Sequence, residues 1–421
     1  MQRKRTDIDL MAPVGSYESL MAAIQAGSNS IYFGIEQLNM RARSSNNFTF
    51  DDLRNIVSIC EEHNVKTYLT VNTIIYDEEM EKMHKVVDAA AENHVTAIIA
   101  SDIAVMQYAR SKGVEVHAST QLNISNIEAV AFFAQFCDVM VTARELSLEQ
   151  VKYITEQIRQ RDIRGPKGEL VKIEIFCHGA LCMAVSGKCY LSLHEYNHSA
   201  NRGACLQACR RAYRVTDIES GDELEIDNKY IMSPKDLCTI EFMDKFIEAG
   251  VKVFKIEGRA RSAEYVRRTV ECYRKAADAV CDGCNTPELT AQLKASLSEV
   301  FNRGFWDGYY QGAELGEWSN VYGSQATKKK IYLGKITNWF DKISVAEIAV
   351  EATDLPAGSE IMVIGATTGT VIFKADDIRV DFKTVDVARK GERCSVASAD
   401  KLHRGDKVFL WVASDDGQAC D

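Results

Sequence analysis

The cysteines are the residues of this chain that are best suited to chemistry, because 6 of the 13 lie within residues 177–238. Four follow the spacing C-x6-C-x15-C-x3-C, and a fifth comes after 28 intervening residues. Thiolates are soft ligands, and four of them can hold a zinc ion or a four-iron cluster. Zinc ribbons usually contain two C-x2-C pairs, which this region lacks, so the spacing favours an iron–sulfur cluster over zinc or free thiols. The candidate ligands are Cys182, Cys189, Cys205, Cys209 and Cys238.

A histidine near these cysteines suggests a competing chemistry. His178 precedes Cys182 by four residues, which suggests the base and the thiol nucleophile of a peptidase. The pair lacks an identifiable Asp or Asn to orient the histidine, and the neighbouring thiols compete as metal ligands. Neither H-E-x-x-H nor G-x-S-x-G occurs, so the signatures of zinc proteases and of nucleophile-elbow hydrolases are missing.

Basic residues accompany the cysteines, although the whole chain has a net charge of -10. Between residues 182 and 214, five Lys and Arg side chains and one Glu give a local charge of +4. Such an excess can bind RNA phosphates, and a solvated surface explains it equally well on charge alone. Further arginines follow predicted strands. The arginines predicted to bind substrate, from both groups, are Arg41, Arg43, Arg144, Arg202, Arg210 and Arg259.

These residues must be positioned by a repeating pattern of short apolar runs and amphipathic segments, which is typical of βα units around a parallel sheet. Eight such strands predict a closed barrel of the TIM type, with an open doubly wound sheet as the alternative. The predicted strands are Ile8–Ala12, Ser30–Phe33, Lys66–Val71, Ala97–Ala100, Glu115–Ala118, Asp138–Thr142, Lys172–Phe176 and Lys252–Ile256.

One connection between strands is much longer than the others. Some 75 residues separate Phe176 from Lys252, and this insertion contains the cysteine cluster. In a βα barrel the active site is built by the loops that leave the carboxyl ends of the strands. Polar residues that follow strands are further candidates to orient a small substrate, although helix capping or a rim hydrogen bond better explains any single one. They are Asn72, Asp102, Gln121, Asn123, Glu145 and Glu257.

The chain divides into two predicted domains. Residues 1–315 form the βα barrel, with the cysteine-rich insertion at about 177–250. Residues 325–421 alternate short apolar runs with Gly, Asp and Pro turns, which predicts a small antiparallel β-barrel.

Composition excludes several protein classes. A chain of 421 residues with 46% hydrophobic residues has enough apolar side chains for a buried core, which excludes disorder as its main state. The basic amino terminus is followed by no apolar run typical of a signal peptide, and no stretch is long enough to span a membrane. We therefore expect a cytoplasmic protein with reduced cysteines and no membrane partner.

Several segments resemble the collagenase-like peptidase family U32. The specific motif is FCHGALCMAVSGKCYLS at Phe176–Ser192, followed by NRGACLQACRRAY at Asn201–Tyr213 and SPKDLC at Ser233–Cys238. Shorter matches are MAPVG, STQLNISN, RELS and KIEGR, and the resemblance covers roughly residues 8–315. The arrangement is most similar to the subgroup that makes 5-hydroxyuridine at the wobble position of transfer RNA.

The resemblance implies a 4Fe-4S cluster, because better understood members are hydroxylation proteins that act on transfer RNA, ribosomal RNA or ubiquinone precursors. It implies Cys182, Cys189, Cys205 and Cys238 as ligands, with Cys209 as an alternative fourth. This sequence has Gln-Ala-Cys at Cys209 where family members commonly have Gln-Pro-Cys, a change that keeps the sulfur. The resemblance also implies prephenate as the small-molecule hydroxyl donor. Two alternatives remain: a collagenase-like peptidase that uses His178 and Cys182, and a non-catalytic RNA-binding protein stabilised by metal.

Overall fold

The computed structural model describes residues 8–36, 38–42, 47–211, 213–226, 233–313, 316–319 and 323–414. Its first part alternates strands and helices. These are β1 (Asp9–Pro13), α1 (Tyr17–Gln25), β2 (Ser30–Phe33), α2 (Phe50–Glu62), β3 (Lys66–Val71), α3 (Met80–Glu92), β4 (Ala97–Ala100), α4 (Ile103–Ser111), β5 (Glu115–Ala118), α5 (Ile127–Phe133), β6 (Val139–Val141), α6 (Leu148–Gln160) and β7 (Lys172–Ala180).

The insertion follows β7 and contains α7 (Leu191–Tyr196), β8 (Tyr213–Thr216), β9 (Glu223–Ile226), β10 (Asp236–Cys238) and α8 (Met243–Ala249). The next strand, β11 (Val253–Ile256), pairs in parallel with both β1 and β7. This double pairing closes a ring of eight parallel strands, so the predicted TIM-type barrel is confirmed. After the barrel come α9 (Ala263–Asp282), α10 (Pro287–Ser298) and β12 (Phe305–Trp306).

Two layers of apolar side chains hold the barrel together. Side chains that point into the ring form one buried group, which includes Met11, Tyr32, Tyr68 and Val253. A larger core fills the space between the outer face of the strands and the surrounding helices. The helices begin where side chains cap their free N–H groups; Ser16, for example, accepts from the backbone of Ser19 in a capping box.

The carboxy-terminal part is an antiparallel sheet in the order β17-β16-β22-β13-β14-β21-β18-β19, around a core of its own. Its elements are β13 (Lys328–Phe340), β14 (Val345–Val350), β15 (Leu355–Pro356), β16 (Ser359–Gly365), β17 (Gly369–Ala375), β18 (Arg379–Val380), β19 (Lys383–Thr384), β20 (Val387–Ala388), β21 (Arg393–Ala397) and β22 (Lys407–Ala413). The short strands β15 and β20 pair with each other.

The sheet packs against α1 and α9 of the barrel. Gln25 Nε2 donates to the Thr368 carbonyl at 3.0 Å, and Lys330 Nζ lies 2.8 Å from a carboxylate oxygen of Glu264. In the ranges that the structure describes, no helix combines the length and apolar character needed to cross a bilayer.

A glycine in β7 allows the barrel to connect to the insertion. Gly179 has φ +104°, and a Cβ there would lie 2.5 Å from the Glu257 carbonyl oxygen. At this point β7 turns to pair antiparallel with β10, with Gly179 opposite Leu237. The backbone at the end of β11 therefore lies too close to residue 179 for any side chain to fit there.

Gly179→Ala should lower the free energy of unfolding by about 2 kcal/mol more than Gly113→Ala does. Gly113 is the matched control, because it also has a positive φ, +76°, but a Cβ there would meet no atom within 4 Å. Urea unfolding of both variants measures the difference. Equal losses would show that only backbone strain, and not the contact with Glu257, restricts residue 179.

Candidate functional site

A cavity of about 250 Å³ lies at the carboxyl ends of the barrel strands, where the insertion covers the mouth of the ring. Barrel strands supply its floor, including Tyr32, Thr70, Phe176 and Lys255. The loops that follow the strands and the inserted segment supply its walls. The cavity therefore has the position expected for the active site of a βα barrel.

Four of the five candidate cysteines line this cavity: Cys182, Cys189, Cys205 and Cys209. Cys182 is exposed and the other three are partly buried. The pKa of Cys209 is raised to about 11, mainly by burial; the charge of Arg210 opposes the rise, and the charges of the other three sulfurs add to it. Residues 27 positions apart in the sequence are thus within electrostatic reach of one another.

The sulfur atoms of Cys189 and Cys205 accept backbone hydrogen bonds in the same way. Gln207 N lies 3.4 Å from Cys205 Sγ, and the Leu191 backbone donates to Cys189 and lowers its pKa against the larger effect of burial. Ser192 Oγ also lies 4.0 Å from Cys205 Sγ. Hydrogen bonds to ligand sulfurs are one of the means by which proteins adjust iron–sulfur clusters.

The convergence of these thiols bears on which metal group they could hold. Within the described ranges, no three Cys, His, Asp or Glu side chains converge on a point where one metal ion could bind. A zinc ion needs its sulfur ligands at about 2.3 Å from one point. A four-iron cluster has no such requirement, because each cysteine binds a different iron.

The fifth candidate, Cys238, lies outside the cavity. It is buried in β10, where it pairs with His178 across the ladder, and its Sγ lies 3.8 Å from Tyr273 Oη. Burial raises its pKa to about 11. The structure therefore does not bring together the set implied by the resemblance, in which Cys238 is the fourth ligand. It brings together the alternative set with Cys209, because β10 continues the sheet and turns Cys238 into the core.

Cationic side chains dominate the cavity. Seven line it: Arg41, Arg144, Arg210, Lys255, Arg259, Arg261 and Arg303. Glu257 is the one carboxylate among the described residues that line it, and Arg41 Nη2 lies 2.7 Å from Glu257 Oε1. Burial would raise the pKa of Glu257, but the charges of Arg41, Arg144 and Arg259 outweigh it and hold the pKa at about 2. The cavity therefore keeps a strong excess of positive charge and is suited to anions.

One wall carries uncharged polar groups in a connected network. Asn72 Nδ2 lies 3.2 Å from Ser119 Oγ and 3.4 Å from Gln121 Oε1, and Ser119 Oγ also donates to Gln121 Oε1. Asn72 Oδ1 accepts from Met40 N at 3.1 Å. None of these three side chains is charged, so the network can offer amide and hydroxyl groups to the edge of a base or a small substrate.

Four of the six predicted substrate-binding arginines line the cavity, namely Arg41, Arg144, Arg210 and Arg259. Arg210 also has a structural role. It donates to Ser233 Oγ at 2.6 Å, to the Pro234 carbonyl at 3.0 Å and to the Leu181 carbonyl at 2.8 Å. These bonds join the two chain segments next to Cys182 and Cys209. Burial lowers the pKa of Arg259 to about 10, and its Nη1 donates to Thr70 Oγ1 at 2.9 Å.

Of the other two predicted arginines, Arg202 contacts a different part of the structure, and Arg43 lies outside the described residues. Arg202 is not in the cavity lining. Its guanidinium forms a two-pronged ion pair with Glu79, with Nη2 at 2.6 Å from Oε1, and donates to the Ile74 carbonyl at 2.8 Å. It also lies over the Tyr76 ring at 3.9 Å. Arg202 therefore anchors the insertion to the loop after β3.

His178 does not form a nucleophile pair with Cys182. Its ring is 1% exposed, lies in the core between aromatic rings, and has Tyr273 Oη at 3.4 Å from Nδ1. Burial and then the charge of Arg261 lower its pKa to about 3, so the ring stays neutral. Among described residues, His178 is absent from the cavity lining while Cys182 is part of it.

The sequence analysis missed cavity residues that carry no obvious motif, such as Tyr32, Thr70, Ser119 and Arg303. Tyr32 and Thr70 lie on predicted strands, and their inward direction follows from the two-residue alternation along a strand. The sequence therefore contained a signal for Tyr32 and Thr70. Arg303 gave no such signal, because it comes after α10 and reaches the cavity through the loop before β12.

A sequence profile of peptidase family U32 matches residues 15–320. A protein of Porphyromonas gingivalis strain W83 named collagenase is 57% identical over 403 residues, which cover 96% of this chain and 97% of that protein. The tRNA hydroxylation protein P1 of Bacillus subtilis is 31% identical over 339 residues, covering 79% and 77%. A 23S rRNA 5-hydroxycytidine synthase of Escherichia coli is 30% identical over 318 residues, covering 74% of this chain and 46% of that protein. The names of these relatives describe two different chemistries.

Removing the cavity carboxylate should change how stability depends on pH. Glu257 has its pKa lowered in the folded state, so its contribution is present above the unfolded value of about 4.5 and is lost as pH falls towards 2. Between pH 5 and pH 3, the wild type should lose about 2 kcal/mol more unfolding free energy than Glu257→Gln. Denaturant unfolding at each pH measures this. Glu248→Gln, on the exposed side of α8, is the control for the loss of one carboxylate; parallel pH profiles for wild type and Glu257→Gln would contradict the assignment.

Proposed function

The chain belongs to peptidase family U32, and from this premise we propose that it is an iron–sulfur protein that hydroxylates an RNA base. The substrate we propose is the wobble uridine of transfer RNA, which becomes 5-hydroxyuridine, with prephenate as the hydroxyl donor. The single observation that carries the proposal is the meeting of four cysteines and seven cationic side chains in one cavity at the barrel mouth. Relatives named for the hydroxylation of transfer RNA and ribosomal RNA support the reaction class.

We assign the cluster to Cys182, Cys189, Cys205 and Cys209. A bound 4Fe-4S cluster would supply an electron-transfer or Lewis-acid centre at the cavity wall. The protein holds these ligands through the backbone hydrogen bonds to Cys189 and Cys205 and through Arg210, which joins the segments that carry Cys182 and Cys209. A cluster bound by four thiolates is an anion, so the surrounding cations favour it.

The remaining cavity residues bind and orient the two substrates. Replacing the C5 hydrogen of uridine by a hydroxyl group oxidises the base, so the donor that gives up the hydroxyl group must be reduced in exchange. Prephenate carries carboxylates, which suit the cationic floor and walls. The amide and hydroxyl groups of Asn72, Ser119 and Gln121 suit the carbonyl and imide groups of uracil. A base must leave its stack to reach them, as in other enzymes that modify bases.

Iron and labile sulfide should be present after anaerobic purification, and single replacements should identify the ligands. Cys182→Ala, Cys189→Ala, Cys205→Ala and Cys209→Ala should each lose most of the iron and the broad visible absorption. Cys238→Ala is the matched control and should keep both, because that thiol lies in the core outside the cavity. Iron loss in Cys238→Ala together with iron retention in Cys209→Ala would support the ligand set that has Cys238 in place of Cys209. A colourless protein with stoichiometric zinc would end the cluster proposal.

The reaction is tested in cells that lack the gene. Digested transfer RNA should lose 5-hydroxyuridine in mass spectra, and the wild-type gene should restore it, whereas the gene for Cys209→Ala should not. Cys60→Ala is the control, since Cys60 is buried in α2 away from the cavity. Restoration by every cysteine variant would instead support a non-catalytic RNA-binding protein.

The second candidate function is peptide hydrolysis, which the name of the relative at 57% identity favours. The geometry supplies no Cys/His pair for it, since His178 is buried in the core and Cys182 faces the cavity. Purified protein should therefore leave gelatin intact. Gelatin hydrolysis that disappears in Cys182→Ala would support the peptidase instead.

A further inference from the structure

A buried ion pair forms part of the cavity floor. Lys255 Nζ lies 2.9 Å from Glu174 Oε1, and the two side chains are 6% and 0% exposed. They come from the adjacent strands β11 and β7, and both point into the ring. Lys255 lines the cavity, whereas Glu174 lies beneath it. The pair therefore presents an ammonium group, and not a carboxylate, to whatever enters.

This pair has hydrogen-bonding capacity that the protein leaves unused. An ammonium has three hydrogens, and within the described part of the chain Lys255 donates one hydrogen bond, to Glu174. Glu174 Oε2 is buried and has no hydrogen-bond partner among the same residues. Buried ions repay the cost of leaving water only when further hydrogen bonds satisfy them. The unused capacity that borders the cavity is that of the Lys255 ammonium, because Lys255 lines the cavity and Glu174 does not.

The surroundings of the ammonium strengthen its attraction for an anion. Lys255 Nζ lies 4.6 Å from the centre of the Tyr32 ring and 5.5 Å from that of Phe176. Aromatic faces exclude water and lower the local dielectric, so a charge-assisted hydrogen bond formed there is stronger than one at the surface.

The other six cations of the cavity all contact protein groups. Arg41 is paired with Glu257, Arg259 donates to Thr70, and Arg303 Nη1 lies 3.3 Å from Asp236 Oδ1. Arg210 is engaged by Ser233 Oγ and two carbonyls. Arg144 Nη1 donates to the Ala180 carbonyl at 3.3 Å, and Arg261 lies over the Phe301 ring at 3.5 Å. Lys255 differs from these arginines because it lies on a barrel strand, at the floor of the cavity.

We propose that Lys255 binds a carboxylate of the small organic acid that enters this cavity, and that Glu174 is a positioning residue that holds the ammonium in place. The identity of the acid as the hydroxyl donor rests on the proposed function. Binding of a carboxylate at Lys255 does not depend on the proposed function, because it requires neither RNA nor turnover.

Calorimetric titration of the holoprotein with prephenate tests the proposal, with malonate as a small dicarboxylate unrelated to the proposed reaction. Lys255→Met should weaken binding by about 10- to 100-fold, the loss expected for a hydrogen bond between charged groups. Lys66→Met is the matched control, since Lys66 Nζ lies 2.9 Å from Asp9 Oδ2 at the opposite end of the same barrel. That variant should bind both acids like the wild type.

The variants also separate binding from folding. Lys255→Met leaves Glu174 buried without its partner, so Lys255→Met/Glu174→Met, which removes both charges, keeps the test valid if the single variant unfolds. Glu174→Gln should raise the KM for prephenate several-fold and leave kcat unchanged, which a merely structural loss would not do.

Unchanged binding of both acids by a folded Lys255 variant, or no binding of either acid by the wild type, would overturn the proposal. Binding of malonate, but not prephenate, that depends on Lys255 would support Lys255 as the carboxylate ligand and would reject prephenate as the donor. Binding of prephenate that depends on Lys255 without any RNA hydroxylation would support the ligand assignment and reject the proposed reaction.

Discussion

Mutual repulsion among buried cations is the constraint on which the rest of the site depends. Seven Lys and Arg side chains line a cavity of about 250 Å³, and one described carboxylate, Glu257, faces them. Such crowding is unfavourable in a partly dehydrated space unless anions offset it. Glu257 offsets part of it, as its pKa of about 2 indicates. Glu174 and Asp236, which lie outside the lining, pair with Lys255 and Arg303. The rest of the positive charge favours anionic occupants, such as the cluster that we propose at the wall and the carboxylate that we propose at the floor.

The closed barrel explains why these groups meet although the sequence separates them. Parallel strands that close into a ring place all eight carboxyl ends on one rim, so Arg41 after β2, Arg144 after β6 and Glu257 after β11 face the same space. The insertion after β7 then brings the thiols over that space. Two residues stabilise this arrangement. Gly179 allows β7 to pass close to the end of β11, and Arg210 connects the inserted segments through hydrogen bonds.

Much of this organisation was predictable from the sequence. The strands β2 to β5 have the predicted bounds, since runs of 4 to 6 residues between polar residues have the length of a strand and are too short for a helix. The position of the insertion at the rim followed from topology alone. The choice between Cys209 and Cys238 did not, because it depends on β10 pairing with the extended end of β7, a long-range contact that spacing does not encode. Arg202 was equally ambiguous, since its partner Glu79 is more than 120 residues away.

The position of Cys238 has a consequence for how the family signature is interpreted. The segment SPKDLC matches the signature as a whole, yet its cysteine packs beside Tyr273 and His178, and its aspartate, Asp236, receives Arg303 from the cavity wall. The segment therefore acts as a structural strand whose charged residue positions a cavity arginine. His178 belongs to the same buried group, and its neutral ring packs against Tyr265, whose hydroxyl donates to the Glu257 carbonyl at 3.0 Å. In this chain, residues that resemble a Cys/His nucleophile pair by spacing thus have separate tasks: Cys182 faces the cavity, and His178 supports the strand end that carries Glu257.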